Sequence, residues 1–288
     1  MSKTLVIDTD RAGQRVDVVA ADILPSLSRA YIKRLLEDGR ITVNGKNAKA
    51  GGKVHLGDKL QTDFEEAELD QIEPIELPII YEDDDVLVVN KPAGVISHSR
   101  GKYWDEPSVA SFVRQKTNQP GERAGIVHRL DRATSGVMIC AKNAETLSWL
   151  QRQFSAREVA KTYIAVVQGT LKEPEAIIDM PIERNPKAPA TFRAGSSGKP
   201  AQTKYRLLPS QPGHSVLELT PLTGRTHQLR VHLSYLGHPI VGDTLYGGET
   251  ADRLMLHAQA LTITLPNKER RTFAAPLPTE FNQYMANG

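Results

Sequence analysis

The sequence predicts an α+β chain in which a small α/β domain precedes a larger domain with a central mixed, mostly antiparallel β-sheet flanked by helices. Three observations predict this. Charge is segregated: residues 1–60 hold 11 Lys and Arg against 7 Asp and Glu, 61–85 hold none against 11, and 86–288 hold 25 against 16. The resulting nets of +4, −11 and +9 mark two basic blocks around an acidic connector. The first block reads as a helix followed by a hairpin. The last block is rich in strand-like segments that lack the regular βαβ rhythm of a doubly wound fold. The domains expected are therefore residues 1–62, an acidic linker over 63–78, and 79–288.

In the first block, Ser28 is placed to cap a helix whose apolar positions Ile32, Leu35 and Leu36 share one face. Arg29, Lys33 and Arg34 fall away from that face. Gly39 suits the left-handed position after the last turn. Arg40-Ile41-Thr42-Val43 is a short strand, Asn44-Gly45 a hairpin turn, and Lys46, Lys49 and Lys53 follow. A basic helix face beside a basic hairpin fits RNA. It equally fits a small domain that keeps Lys on its exposed edges. The linker DFEEAELDQIEPIELP, with Pro74 and Pro78 among carboxylates, reads as extended.

In the larger domain, Asp85–Lys91 is a strand that ends at the turn Pro92-Ala93-Gly94. Val137–Ala141 is a strand, and Ala144–Phe154 a helix with Leu147, Leu150 and Phe154 on one face. Thr162–Gln168, Thr203–Leu208 and Ser215–Leu219 are strand-like. Thr226–Tyr235 is a helix with Leu229, Leu233 and Leu236 in register and Gly237 as its stop. Leu261–Leu265 alternates like a late strand.

Bulk properties narrow the class. With 40% hydrophobic and 24% charged residues, the 288-residue chain has a globular composition. No apolar run approaches the roughly 20 residues that cross a bilayer, and MSKTLVIDTD lacks a signal-peptide pattern. The single cysteine, Cys140, permits no internal disulfide. The expected location is the cytoplasm, without membrane attachment. The basic blocks fit a polyanionic partner, because neutralised phosphates release counterions.

The stretch HRLDRATSGV places Asp131 between Arg129 and Arg132. From the residues alone, Asp131 is a turn former, an ion-pair partner, a metal ligand or a catalytic anion. Four histidines, His227, His232, His238 and His257, are available for a metal. However, there is no H-E-x-x-H run, and five residues separate His227 from His232. Ser135 lacks the G-x-S-x-G elbow of a serine nucleophile. Glycine-rich phosphate loops are absent.

Longer stretches carry a resemblance. SRAYIKRLLEDGRITVNG followed by GDKL resembles the small RNA-binding domain named after ribosomal small-subunit protein four, over roughly residues 13–62. HRLDRATSGVMICAKN resembles the signature of RNA pseudouridine synthases of the large-subunit ribosomal RNA branch. VLVVNKPAGV, KTYIAVVQG, GKPAQTKYRLL and LTGRTHQLRVHLSYLGHPIVGDTLYG match further family segments in order. Ile96-Ser97-His98-Ser99 departs from the usual Val-His-Pro ending, and Arg132-Ala133 varies within the signature.

The resemblance implies an enzyme that detaches the uracil of a uridine, turns it and rejoins it through C5. No atom is gained or lost, so no cofactor and no metal are implied. It makes Asp131 the catalytic carboxylate, Arg225 its basic partner, and Tyr163 the site tyrosine. Arg129 becomes the residue that fills the gap left by the flipped nucleotide. Arg132, Arg230, His128 and His232 become RNA contacts or supporting hydrogen-bond groups, and Thr134, Ser135 and Gly136 shape the loop. Arg29, Lys33, Arg34 and Lys46 become RNA contacts of the first domain. The implied partner is large-subunit ribosomal RNA or a pre-ribosomal particle, bound by a monomer. The rivals are a non-catalytic ribosome-assembly factor and a nucleoside hydrolase that would release free uracil.

Overall fold

The structure, a computed structural model, describes residues 3–25, 27, 29–64, 74–98, 106–117 and 124–286. These fall into two compact units. One holds the described residues up to 75, with 98 and 106–111; the other holds 76–97, 112–117 and 124–286. The second unit begins at residue 76 rather than 79. Leu77 is already buried there, and the Pro78 carbonyl accepts from the Asn90 amide at 2.9 Å. Residues 98 and 106–111, expected in the larger domain, cluster with the first unit. The expected cap Ser28 and most of the expected acidic linker, residues 65–73, lie outside the described residues.

The first unit runs β1 (Lys3–Val6), α1 (Val16–Ile23), α2 (Arg29–Glu37), β2 (Ile41–Val43), β3 (Lys46–Asn47) and β4 (Lys59–Thr62). The strands form an antiparallel sheet in the order β1-β4-β2-β3. Helix α2 buries Tyr31, Ile32, Leu35 and Leu36 and leaves Lys33 and Arg34 exposed, as its periodicity requires. The polar face is ion-paired. Lys33 lies 3.5 Å from Glu37, Arg34 4.0 Å from Asp38, and Arg29 3.1 Å from Asp17. The Lys33 and Arg34 pairs are exposed and so are worth little, whereas Asp17 is buried. Asn44 and Gly45, at φ 52° and 72°, form the two-residue turn that presents exposed Lys46. Phe64 packs edge-on to Tyr31 at 5.6 Å, so this core extends past the expected boundary at 62.

The second unit contains β5 (Ile79–Glu82), β6 (Val86–Lys91), β7 (Ser135–Ala141), α4 (Ala144–Ala156), β8 (Ala160–Gln168), β9 (Glu175–Asp179), β10 (Ile182–Arg184) and β11 (Phe192–Ala194). It continues with β12 (Gln202–Leu208), β13 (His214–Pro221), α5 (Gln228–Tyr235), β14 (Leu256–Thr264) and β15 (Arg270–Ala274). Helix α3 (Val109–Thr117) precedes β7 in the chain. Nine strands form one sheet in the order β5-β6-β7-β14-β8-β13-β12-β9, with β15 against β14. Its pairings are antiparallel except β7 with β14. The fold is therefore the mixed, mostly antiparallel α+β arrangement the strand pattern predicts. Strands β10 and β11 make a separate hairpin.

Every residue of β7 is buried, which explains the unbroken apolar run of Val137 to Ala141. Cys140 sits in that run, and desolvation pushes its thiol up to about 12, which makes it inert. Helix α5 starts at Gln228, two residues later than expected, because His227 takes a left-handed conformation at φ 56°. Leu229 and Leu233 are buried as expected, whereas Leu236 is exposed.

The parallel crossing of β7 and β14 accounts for one glycine of the HRLDRATSGV stretch. Gly136 has φ 120°, and a Cβ there would lie 2.2 Å from the Ala258 carbonyl oxygen. Gly136→Ala is expected to cost at least about 3 kcal/mol of unfolding free energy, by clash and backbone strain together. Urea denaturation checks this, and a loss below 1 kcal/mol, roughly the generic value for a point mutant, would contradict the close approach.

Candidate active site

Asp131 lies on the loop that enters β7, and three anchors fix that loop. Ser97 Oγ donates to the Leu130 carbonyl at 2.7 Å and accepts from the Leu130 amide at 3.0 Å. The Gly94 amide donates to the Arg132 carbonyl at 2.8 Å, and the Thr134 amide closes a turn on the Asp131 carbonyl at 3.0 Å. Lys91 is wholly buried, and its Nζ donates to the carbonyls of Pro92, Val95 and Arg132 at 2.9, 2.7 and 3.2 Å. Desolvation pulls its ammonium down to about 7, against the raising effect of Asp131.

The strand end is held from the other side. Ser135 Oγ hydrogen-bonds His257 Nδ1 at 2.8 Å and accepts from the Arg253 guanidinium. His128 stacks on Phe154 at 4.8 Å, and its Nε2 accepts from the Ile139 amide at 3.1 Å. Burial keeps both imidazoles neutral, His128 at about 3 and His257 at about 4.

The Asp131 side chain is 20% exposed, and its cation is Arg230, with Nη1 3.6 Å from Oδ2. Helix α5 delivers Arg230 and the next shell locks it. Asp243, buried, takes Nε and Nη2 of the guanidinium in two bonds of 2.7 Å each. The Tyr246 ring lies 4.9 Å from the guanidinium carbon. Such a fork leaves one free edge of the guanidinium, and that edge faces Asp131. His227 Nε2 lies 3.8 Å from the same carboxylate oxygen, and its Nδ1 meets the Tyr246 hydroxyl at 2.7 Å. Desolvation lowers the His227 pKa, against the opposing pull of Asp131.

A cavity of about 730 Å³ opens over this carboxylate, large enough for a nucleotide. Tyr163 projects into it from β8. Burial first, and then the Asp131 charge, push its phenol well above the usual range, so it is protonated at neutral pH. Arg129, Arg157, Lys161 and Arg225 also line the cavity.

The structure corrects one expected pairing. Arg225 Nε donates to the Pro200 carbonyl at 3.0 Å, and its amide donates to Gln228 Oε1 at 2.9 Å. Arg225 is therefore a wall residue, and the cation at Asp131 is Arg230, five residues further along. Arg132 is also turned from the cavity: its guanidinium reaches the Gly94 carbonyl at 3.4 Å, and its own carbonyl serves the loop anchors. His232 is an interior group, bonded at 2.9 Å to Thr203 Oγ1 and at 2.9 Å to the Met180 carbonyl. Among the described residues, no three His, Cys, Asp or Glu side chains converge to hold a metal. Among these residues, too, no helix is long and apolar enough to cross a membrane.

Sequence reasoning missed the roles of Arg230, Asp243, Lys91 and Ser97. His227 and Arg230, three apart at a helix start, carried a readable signal, since residues at that spacing share a face. Asp243 carried none, because only the fold brings it to Arg230.

Comparison with known proteins follows the same lines. The family model described as RNA pseudouridylate synthase matches residues 85–235, and the S4 domain model matches residues 14–60. The ribosomal large subunit pseudouridine synthase D of Borreliella burgdorferi is 37% identical, over 95% of this chain and 89% of its own. The ribosomal large subunit pseudouridine synthase C of Vibrio cholerae is 32% identical, over 96% of this chain and 94% of its own. The solved human RNA pseudouridylate synthase domain containing 1 superposes with a TM-score of 0.62 at 33% identity, covering 74% of this chain and 91% of that one.

Two outcomes test the geometry. Arg230→Gln leaves buried Asp243 without its cation and is expected to cost about 3–5 kcal/mol. Adding Asp243→Asn should recover part of that loss in urea denaturation, and strictly additive losses would contradict the pairing. The second outcome is a pH dependence. His128 and His257, at about 3 and about 4, sit below the ordinary 6.5, so the unfolded chain binds more protons between those values. Stability should therefore fall as pH drops below about 6.5, each unit of depression being worth about 1.4 kcal/mol. In His257→Asn that decline should be shallower, and an unchanged slope would contradict the assignment.

Proposed function

Because the chain belongs to the RNA pseudouridylate synthase family, and so isomerises uridine in RNA, we propose that its substrate is large-subunit ribosomal RNA and that Asp131 starts the reaction. We infer further that it acts in the cytoplasm as a monomer, on ribosomal RNA or a pre-ribosomal particle. The ribosomal substrate is supported by the full-length similarity to synthases C and D and by the S4 match at the N-terminal end.

The observation that carries the catalytic reading is a partly exposed carboxylate on a cavity wall, oriented by a guanidinium that is itself clamped from behind. A stacked uridine hides its glycosidic bond, so the nucleotide must leave the stack to bring C1′ to Asp131. Arg129, exposed at the cavity, then fills the gap it leaves. Asp131 attacks C1′ or removes the ribose 2′ proton; either step uses the carboxylate that Arg230 orients. The detached uracil stays between Tyr163 and the cavity walls while it turns. Tyr163, protonated, offers a ring face for stacking and a hydroxyl for relaying the C5 proton. Exclusion of water keeps the detached base and sugar from hydrolysing. Arg29, Lys33, Arg34 and Lys46 give the first unit its phosphate contacts, and Arg225 adds one at the cavity wall.

Asp131→Asn is expected to abolish pseudouridine formation while RNA binding changes less than about threefold, because the isosteric amide cannot act as nucleophile or base. Carbodiimide mapping of ribosomal RNA, with and without the protein, reads the product, and a filter-binding titration reads affinity. Undiminished turnover by the variant would remove Asp131 from the chemistry. Free uracil instead of an isomerised base would indicate a hydrolase, and binding with no base change an assembly factor.

A further inference from the structure

Lys161 stands apart from the other desolvated cations of the second unit. Lys91 is met by three carbonyls, and Arg230 by two bonds from Asp243. The Lys161 side chain makes no hydrogen bond or ion pair among the described residues, although it is only partly accessible. Desolvation alone lowers its pKa, so no carboxylate lies close enough to compensate it. An ammonium kept partly out of water without a counter-charge is unfavourable unless a ligand supplies the anion.

Its position indicates which ligand. Lys161 and Tyr163 are two apart on β8, so they share a strand face, and both line the cavity over Asp131. Four residues earlier, Arg157 ends α4 at φ 61°, a left-handed position that favours glycine, and it lines the same cavity. Its guanidinium also has no carboxylate partner among the described residues. A residue in a glycine position has a reason to be there, and here it adds a second cation to a stretch of wall that also carries the Glu158 carboxylate. Uracil and ribose carry no anion. The anions that accompany a flipped uridine are the phosphates on either side of it.

We propose that Lys161, with Arg157 from the same stretch of cavity wall, forms a subsite for a backbone phosphate next to the flipped uridine. This rests on the isomerase reading and adds to it the group that seats the target nucleotide. The subsite is independent of sequence, since every nucleotide carries the phosphate, and it sets depth and orientation rather than base choice.

Phosphate-ethylation interference on a large-subunit ribosomal RNA transcript tests it, with binding as the readout. Wild-type protein should show interference at phosphates flanking the converted uridine. Lys161→Gln should lose one of these positions and keep the rest. It should also bind about tenfold more weakly, with a slope of log affinity on log salt smaller by about 0.7. Lys161→Arg should keep the position, and Arg157→Gln should weaken it. An interference map for Lys161→Gln identical to the wild type would overturn the subsite. So would a lowered melting temperature, because a lysine kept for a ligand does not stabilise the free fold. Conversion of the same transcript by the wild-type protein is scored separately. Its failure would count against the isomerase reading, while the interference map still decides the subsite.

Discussion

One guanidinium between two carboxylates organises this structure. Arg230 gives two bonds of 2.7 Å to Asp243 and has an edge left for Asp131 at 3.6 Å. Asp243 is sealed, with 1% of its side chain exposed, and its bonds to Arg230 are short and aligned. Asp131, with 20% of its side chain exposed, is the member that faces the cavity. Breaking such a buried arrangement is costly, which fixes the carboxylate's orientation before any substrate arrives. Preorganisation of this kind is what a reaction with developing charge at C1′ requires.

The same economy of charge runs through the loop that carries Asp131. Its backbone is held by Lys91 at the Arg132 carbonyl and by Ser97 at the Leu130 carbonyl. Ser135 is secured by His257 and Arg253, and Gly136 lets β7 pass against β14. The neighbouring Thr-Ser-Gly residues therefore serve structure. In the proposed mechanism, the reactive part of the motif is a single carboxylate. Arginines on both sides of it in sequence do not neutralise it: Arg129 faces the cavity, and Arg132 turns to the Gly94 loop.

Much of the fold was legible because local rules decided it. The α2 stripe, the Asn44-Gly45 turn, the buried run of β7 and helix α4 all follow from periodicity or turn chemistry. Elements with weak local signals were not legible. Strands β9, β10 and β11 are short and half-exposed, and β15 gains its place only by pairing with β14. In the site, Asp131 and Tyr163, singled out by the motifs around them, line one cavity. The partner of Asp131 was not legible in those motifs. Arg225 and Arg230 sit in one motif, five residues apart, and both are arginines. His227 takes a left-handed turn, so α5 begins after Arg225. That turn leaves Arg225 on the Pro200 carbonyl and puts Arg230 at the carboxylate. Chain geometry, which no spacing rule reports, made the choice.

The central claim is that Arg230, and not Arg225, completes the carboxylate proposed to start the reaction. Single-turnover conversion of a large-subunit ribosomal RNA transcript at saturating protein separates them, because it reads the chemical step free of affinity. Arg230→Lys keeps the charge but cannot hold two carboxylates in a planar fork. It should slow the step by about a hundredfold or more, the scale of losing one preorganised electrostatic group. Arg225→Lys should leave the rate within about threefold, since a wall contact acts on binding. The reverse order, with Arg225→Lys the slower variant, would contradict the account.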